Sequence, residues 1–191
     1  MARQIIPDAG VWSDIASLQN QNNQELYETI HFGIYDYNDA STSTTPLSVP
    51  SNSTFVDIPN DGAGAFTNRA YALPNVDDLW DTTTNRFNWT PLSLGDTVDI
   101  RLDLEVTTTS PNQLVEIDLE LATGAGTYDI LFFKGTFKNT GANDVNRFNS
   151  IYMGDLNTLN NPARFKIRSD STATVVVRGW YLRAFNRISQ Y

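Results

Sequence analysis

From Thr97 to Leu121 the chain alternates apolar and polar residues almost without a break, and this limits its fold more than any other feature. Val98, Ile100, Leu102, Leu104 and Val106 are separated by Asp99, Arg101, Asp103 and Glu105. After a turn at 107–112 containing Ser-Pro-Asn, Val115, Ile117, Leu119 and Leu121 alternate with Glu116, Asp118 and Glu120. Side chains two residues apart share a face of a strand, so each segment is a strand with one buried face and one wet face. The short turn predicts that the two pair as a hairpin. Further strands are expected at 31–37, 53–58, 127–137, 147–153, 163–168 and 173–185. Turns such as Thr123-Gly-Ala-Gly126 and Asn139-Thr-Gly-Ala-Asn143 separate them. About eight to ten short strands without a long helix describe an all-β sandwich of the jelly-roll kind.

Two segments break the alternation. In 127–137, Tyr128, Ile130 and Phe132 have one parity and Leu131, Phe133 and Phe137 the other; in 173–185, Val175, Val177 and Tyr181 stand against Val176, Trp180 and Leu182. A two-sheet sandwich covers one face of each strand, so a second apolar face needs another cover. Loops or a terminal arm supply it in one reading; in the favoured one, identical subunits pack there in a closed oligomer. Leu131, Phe133, Phe137, Trp180, Tyr181 and Leu182 are the resulting interface candidates.

Residues 1–30 have a different character. A Gln/Asn run from Gln19 to Gln24 sits among the short apolar groups Ile5-Ile6, Val11-Trp12 and Leu26-Tyr27, with Ser13 or Asp14 placed to cap a short helix. This reads as an arm, partly extended or a short helix, ahead of a domain at 31–191. The start of the chain lacks the apolar core of a signal peptide, and no stretch approaches the ~20 apolar residues of a membrane span. Together with the absence of cysteine, this predicts synthesis in the cytoplasm and no membrane partner.

The chain of 191 residues carries a formal charge of −9, which argues against nucleic acid as a partner. The charge is uneven. Residues 1–144 have a net charge of −14 and residues 145–191 a net of +5. If the two acidic segments pair, their like charges oppose one another at a cost of up to ~1 kcal/mol per pair. In one reading the acidic rows are a solvated face that keeps sheet edges from aggregating; in the other, the basic row of Arg164, Lys166 and Arg168 on 163–168 meets them, either between strands or as a secondary interface between subunits.

Catalytic constellations are scarce. His31 is the only histidine, and no Gly-x-Ser-x-Gly turn presents a nucleophile. Asp77, Asp78 and Asp81 lack the spaced oxygen ligands and turning glycine of a calcium loop. Gly62-Ala-Gly64 lacks the lysine and preceding strand of a phosphate cradle. The expectation is a protein without catalytic residues, metal or cofactor.

The segments Gly95-Asp96-Thr-Val-Asp-Ile-Arg-Leu, Ile151-Tyr-Met-Gly-Asp155, Asn161-Pro-Ala-Arg-Phe165, Ser169-Asp170 and Ala173-Thr-Val-Val-Val-Arg-Gly-Trp-Tyr181 together resemble tailed-bacteriophage and prophage virion proteins with a tumour-necrosis-factor-like jelly roll. The resemblance covers about residues 87–187. It implies a homotrimer on the outside of a virus particle, as a capsid decoration (cement) protein bound to the phage major capsid protein or as a receptor-binding or carbohydrate-binding fibre or tail head. It brings no catalytic residues. Only about 30 residues precede the first strand, which favours decoration over a fibre with a long shaft. Ile5, Ile6, Val11 and Trp12 are then the candidate capsid anchors, each gaining ~25 cal/mol per Å² of apolar surface buried.

Overall fold

A computed structural model describes residues 17–19, 32–51, 53–74, 76 and 78–186. The chain divides into two units, Met1–His31 with Ile188–Tyr191, and Phe32–Arg187. In the first, only 17–19 is described, and it is helical. The expected arm with Ile5, Ile6, Val11 and Trp12, and also His31, lies outside the described residues.

The second unit runs β1 (Phe32–Asn38), the single turn α1 (Ser41–Thr44), β2 (Leu47–Val49), β3 (Val56–Asp57), β4 (Trp80–Asp81), β5 (Arg86–Phe87), β6 (Thr97–Thr108), β7 (Gln113–Leu121), β8 (Tyr128–Phe137), β9 (Gly141–Tyr152), α2 (Leu156–Asn160), β10 (Arg164–Ser169) and β11 (Ala173–Phe185). One sheet has the order β1-β11-β6-β9, with β2 also on β11; the other has the order β3-β10-β7-β8, and β4 and β5 form a separate ribbon. With β2, β4 and β5 set aside, the eight remaining strands counted in chain order read 1-8-3-6 and 2-7-4-5. That is the double Greek key of a jelly roll, and the protein is an all-β sandwich as expected.

The expected hairpin does not form. β6 pairs with β11 and β9, whereas β7 pairs with β10 and β8, so the turn after Thr108 carries the chain from one sheet to the other. Charge favours this pairing. Side by side, β6 and β7 would oppose acidic rows; apart, each lies beside a basic strand from the C-terminal segment. Arg164, Lys166 and Arg168 stand opposite Glu120, Asp118 and Glu116 in register. The corner itself is fixed by Gln113, 1% exposed. Its Oε1 accepts from the Thr109 and Ser110 N–H groups at 2.9 and 3.1 Å, and its Nε2 donates to Ser169 Oγ at 2.8 Å and Thr172 O at 3.0 Å.

Both irregular segments prove to be strands with a bulge. In β11 the register shifts between Val177 and Gly179, so Ala173, Val175 and Val177 before it, and Trp180, Leu182 and Ala184 after it, all point into the core. An extra residue reverses the parity of everything beyond it. The Val177 N–H donates to Thr42 Oγ1 at 2.8 Å, and the Thr42 hydroxyl in turn donates to Asp39. Gly179 has φ +152°, and a Cβ there would lie 2.6 Å from Tyr37 O. In β8 the shift falls at Phe132, because Ile117 pairs with Phe133 and Asp118 with Leu131. Phe133 and Phe137 therefore share a face with Ile130 and pack against the core.

The core centres on aromatic rings contributed by both sheets and the ribbon. Trp80 lies 5.2 Å from Trp180, Phe87 4.9 Å from Trp89 and 5.5 Å from Phe165, and Phe132 4.8 Å from Phe165, between ring centroids. The ribbon is tied to β10 by paired hydrogen bonds between Phe87 and Ala163, 2.7 and 3.1 Å. The outer edge of β1 is covered by the loop after β3, with Asp36 and Asn68 exchanging N–H···O bonds of 2.9 Å.

Candidate functional site

The two sheets present very different outer faces. On β7, Glu116, Asp118 and Glu120 are each under 8% exposed although they point away from the core. Basic side chains cover them. Glu120 accepts from Arg164 and Lys166 at 3.0 Å each, Lys166 also reaches Asp129 at 2.8 Å, and Arg168 donates to Glu116 at 2.7 Å. Lys134 closes on Glu116 from β8, and Asp57 joins Arg86 and Arg164 at 2.9 Å. The Phe55 ring lies 4.6 Å from both the Lys166 and Arg168 charges. Burial alone would push the Glu120 carboxyl up, but hydrogen bonds from Arg164, Lys166 and Thr123 outweigh it and hold the pKa at about 2. The Asp118 carboxylate makes no hydrogen bond or ion pair among the described residues. Burial, then the charges of Glu116 and Asp129, raise its pKa.

The other sheet is polar and aromatic by turns. Across β1, β11, β6 and β9 one row of side chains reads Phe32, Phe185, Thr97 and Tyr152; the next reads Ile34, Arg183, Asp99 and Ser150; the third reads Asp36, Tyr181, Arg101 and Phe148. The middle row is satisfied within the chain, since Asp99 accepts from Ser150 at 2.6 Å and from Arg183 at 2.8 Å. The aromatic rows are open. Phe32 is 48% exposed, Phe148 60% and Tyr152 62%. Arg101 lies 5.3 Å from the Tyr181 ring centroid and makes no ion pair among the described residues. Asp36, in the same row, has its pKa raised by burial, a shift that Arg101 partly offsets.

The six interface candidates scatter across this geometry. Trp180 and Leu182 are 1% and 0% exposed in the core of the single chain, which corrects their assignment to a subunit interface. The β11 bulge is the physical reason. Phe133 and Phe137 are partly buried, stacked 5.6 Å apart, with the Arg147 guanidinium 4.8 Å from the Phe133 ring. Leu131 stands on the charged face, 55% exposed. Only Tyr181 lies on the open aromatic face. Arg164, Lys166 and Arg168 are paired with carboxylates of their own chain, so the basic row meets acidic rows between strands, the first of its two alternatives, rather than between subunits. Phe32, Arg101, Phe148 and Tyr152 were missed. The signal was there for two of them, because Phe148 and Tyr152 have the parity opposite to Val145 and Ile151, both buried.

Among the described residues no group of three or more Asp, Glu or His side chains is arranged to hold a metal, and Asp77 lies outside them. No protein-family model matches the chain, and no curated protein sequence matches it. Solved structures similar to it include the infectious bursal disease virus Gt strain, with 10% identity and a TM-score of 0.42 over 84% of this chain and 37% of that one. The tumour necrosis factor Eiger from S. frugiperda is similar at 8% identity and a TM-score of 0.41, over 85% and 96% of the two chains. Empty particles of cowpea mosaic virus give 8% identity and a TM-score of 0.28, over 84% of each chain. The chain spans about a third of the length of the bursal disease virus chains it resembles. The jelly roll assigned above rests on strand order, not on these likenesses.

Proposed function

We propose that this chain is a structural, non-enzymatic virion protein that assembles as a homotrimer and decorates the outside of a phage capsid, bound to the major capsid protein. The observation that carries the reading is the open aromatic face of the β1-β11-β6-β9 sheet. Phe32, Phe148 and Tyr152 are about half exposed or more in the single chain. Large apolar side chains gathered on one face of a soluble domain mark an association surface, and a symmetric homo-oligomer is the common way to cover one. Arg101 and Asp36 in the same row supply opposite charges to orient the contact. The resemblance of residues 87–187 to phage virion proteins supplies the particle, and Ile5, Ile6, Val11 and Trp12 are the proposed capsid anchors.

Image reconstruction of particles assembled with and without the protein tests the reading. Three-fold density over the capsid shell, lost when the protein is omitted, is the expected result. Density at a tail tip, or binding to host cells but not to capsids, contradicts decoration.

A further inference from the structure

Between the β4–β5 ribbon, the loop after β3 and the end of α2 lies an open cleft of about 660 Å³. It belongs to neither outer face and plays no part in the assembly reading. Its floor is closed. Trp80 and Phe87 reach it but are 2% and 0% exposed, and Trp80 Nε1 is held by Asn60 O at 2.9 Å. No aromatic face is therefore offered for a planar apolar ligand.

The walls are polar, with Asp61, Asp78 and Asp81 beside Arg69 and Arg86. Arg69 is paired with Asp78, and Arg86 with Asp57. Asp61 accepts from the Ala40, Ser41 and Ala63 N–H groups at 2.9 to 3.0 Å. Asp81 accepts from the Thr83 N–H at 2.8 Å and the Thr84 hydroxyl at 2.7 Å. These bonds fix the carboxylates in place and leave lone pairs over. The donors remain unused: the Thr82 hydroxyl, the Asn88 Nδ2 and the Asn160 amide make no hydrogen bond among the described residues, and all three line the cleft. Most ligand pockets are predominantly apolar with a few polar groups; here most of the lining residues are polar.

We infer that the cleft binds a neutral oligosaccharide. Fixed acceptors and free donors converge from separate loops, and a ligand that matches them presents both kinds of group at short spacing, as vicinal hydroxyls do. An anion meets no uncompensated cation here, because each arginine already faces a carboxylate. An apolar ligand would strand the wall groups without partners. Without a stacking face, each site binds weakly, with Kd about millimolar.

The test is an amide chemical-shift titration of the full chain with maltotriose, cellotriose and chitotriose, each run beside trigalacturonic acid. At least one neutral sugar is expected to shift Thr82, Asn88 and Asn160 in a saturable manner, while the acid binds at least tenfold more weakly. Thr82→Val and Asn160→Ala leave the ribbon's own hydrogen bonds in place, and together they are expected to weaken binding at least tenfold. The inference is overturned if none of the three neutral sugars gives saturable shifts, if the acid binds as well as they do, or if the double variant binds unchanged.

Discussion

Glu120 and Asp118 sit two positions apart on the same face of β7, and their carboxyls are driven in opposite directions. Glu120 gains Arg164 and Lys166, so its pKa falls from 4.5 to about 2. A carboxyl whose folded-state pKa is depressed contributes stability that is complete above its unfolded value and fades as pH falls from 4.5 toward about 2. Glu120→Gln is expected to cost about 3 kcal/mol near neutral pH, since it leaves two cations short of a partner. The cost should shrink across that acid window in urea titrations repeated at several pH values. For Asp118 the sign reverses. A raised pKa means the charged form is disfavoured by folding, a penalty present at neutral pH that disappears as the carboxyl protonates. Asp118→Asn should therefore raise stability at pH 7 by about 0.5 to 1 kcal/mol, the size of a cross-strand like-charge contact, and change it little at pH 3.

The strands were largely legible from alternation, because a strand with one wet face writes its period directly into the sequence. β1, β6, β7, β8, β10 and β11 lie close to where the pattern puts them. What alternation does not write is the bulge. One inserted residue makes a strand with a single apolar face look apolar on both, and that is why Trp180 and Leu182 were misplaced. Pairing was also hidden, since a turn as short as 109–112 suits a hairpin as well as a crossing between sheets. Long-range charge, acidic β7 against basic β10, favours the observed pairing. The acidic and basic halves of the sequence announced a complementarity without saying which rows would meet.

The β11 bulge gives its own predictions. Thr42→Val removes the acceptor of the buried Val177 N–H and should cost about 2 kcal/mol, whereas Thr42→Ser keeps the hydroxyl and most of the stability. Gly179→Ala should cost about 2 kcal/mol or more, because the residue sits at positive φ against Tyr37 O. Equal melting temperatures for Thr42→Val and the parent would show that this hydroxyl does not hold the bulge.

At the scale of the whole molecule, the two outer faces differ. On the charged face, Glu116 and Glu120 are paired with cations of the same chain. The aromatic face is left open. Phe148→Asp with Tyr152→Ser should therefore leave the fold and its circular dichroism intact while dissociating the oligomer, since both side chains are exposed in the single chain. A core substitution such as Trp180→Asp should instead unfold it. Deleting residues 1–24 should spare the trimer but abolish capsid binding, with Trp12→Ala weakening that binding more than Gln21→Ala. On the proposed trimer, three arms would multiply a modest affinity through effective concentration. Truncated protein that decorates capsids as well as the parent would rule the arm out.

The central claim is that the aromatic sheet face joins identical chains, and light scattering of the purified full chain, with Phe148→Asp/Tyr152→Ser beside it, tests it most directly. The parent should give three times the 21.3 kDa chain mass at micromolar concentration, and the double variant a folded single chain. A stable monomeric parent, or a trimer that the double variant leaves intact, would contradict it.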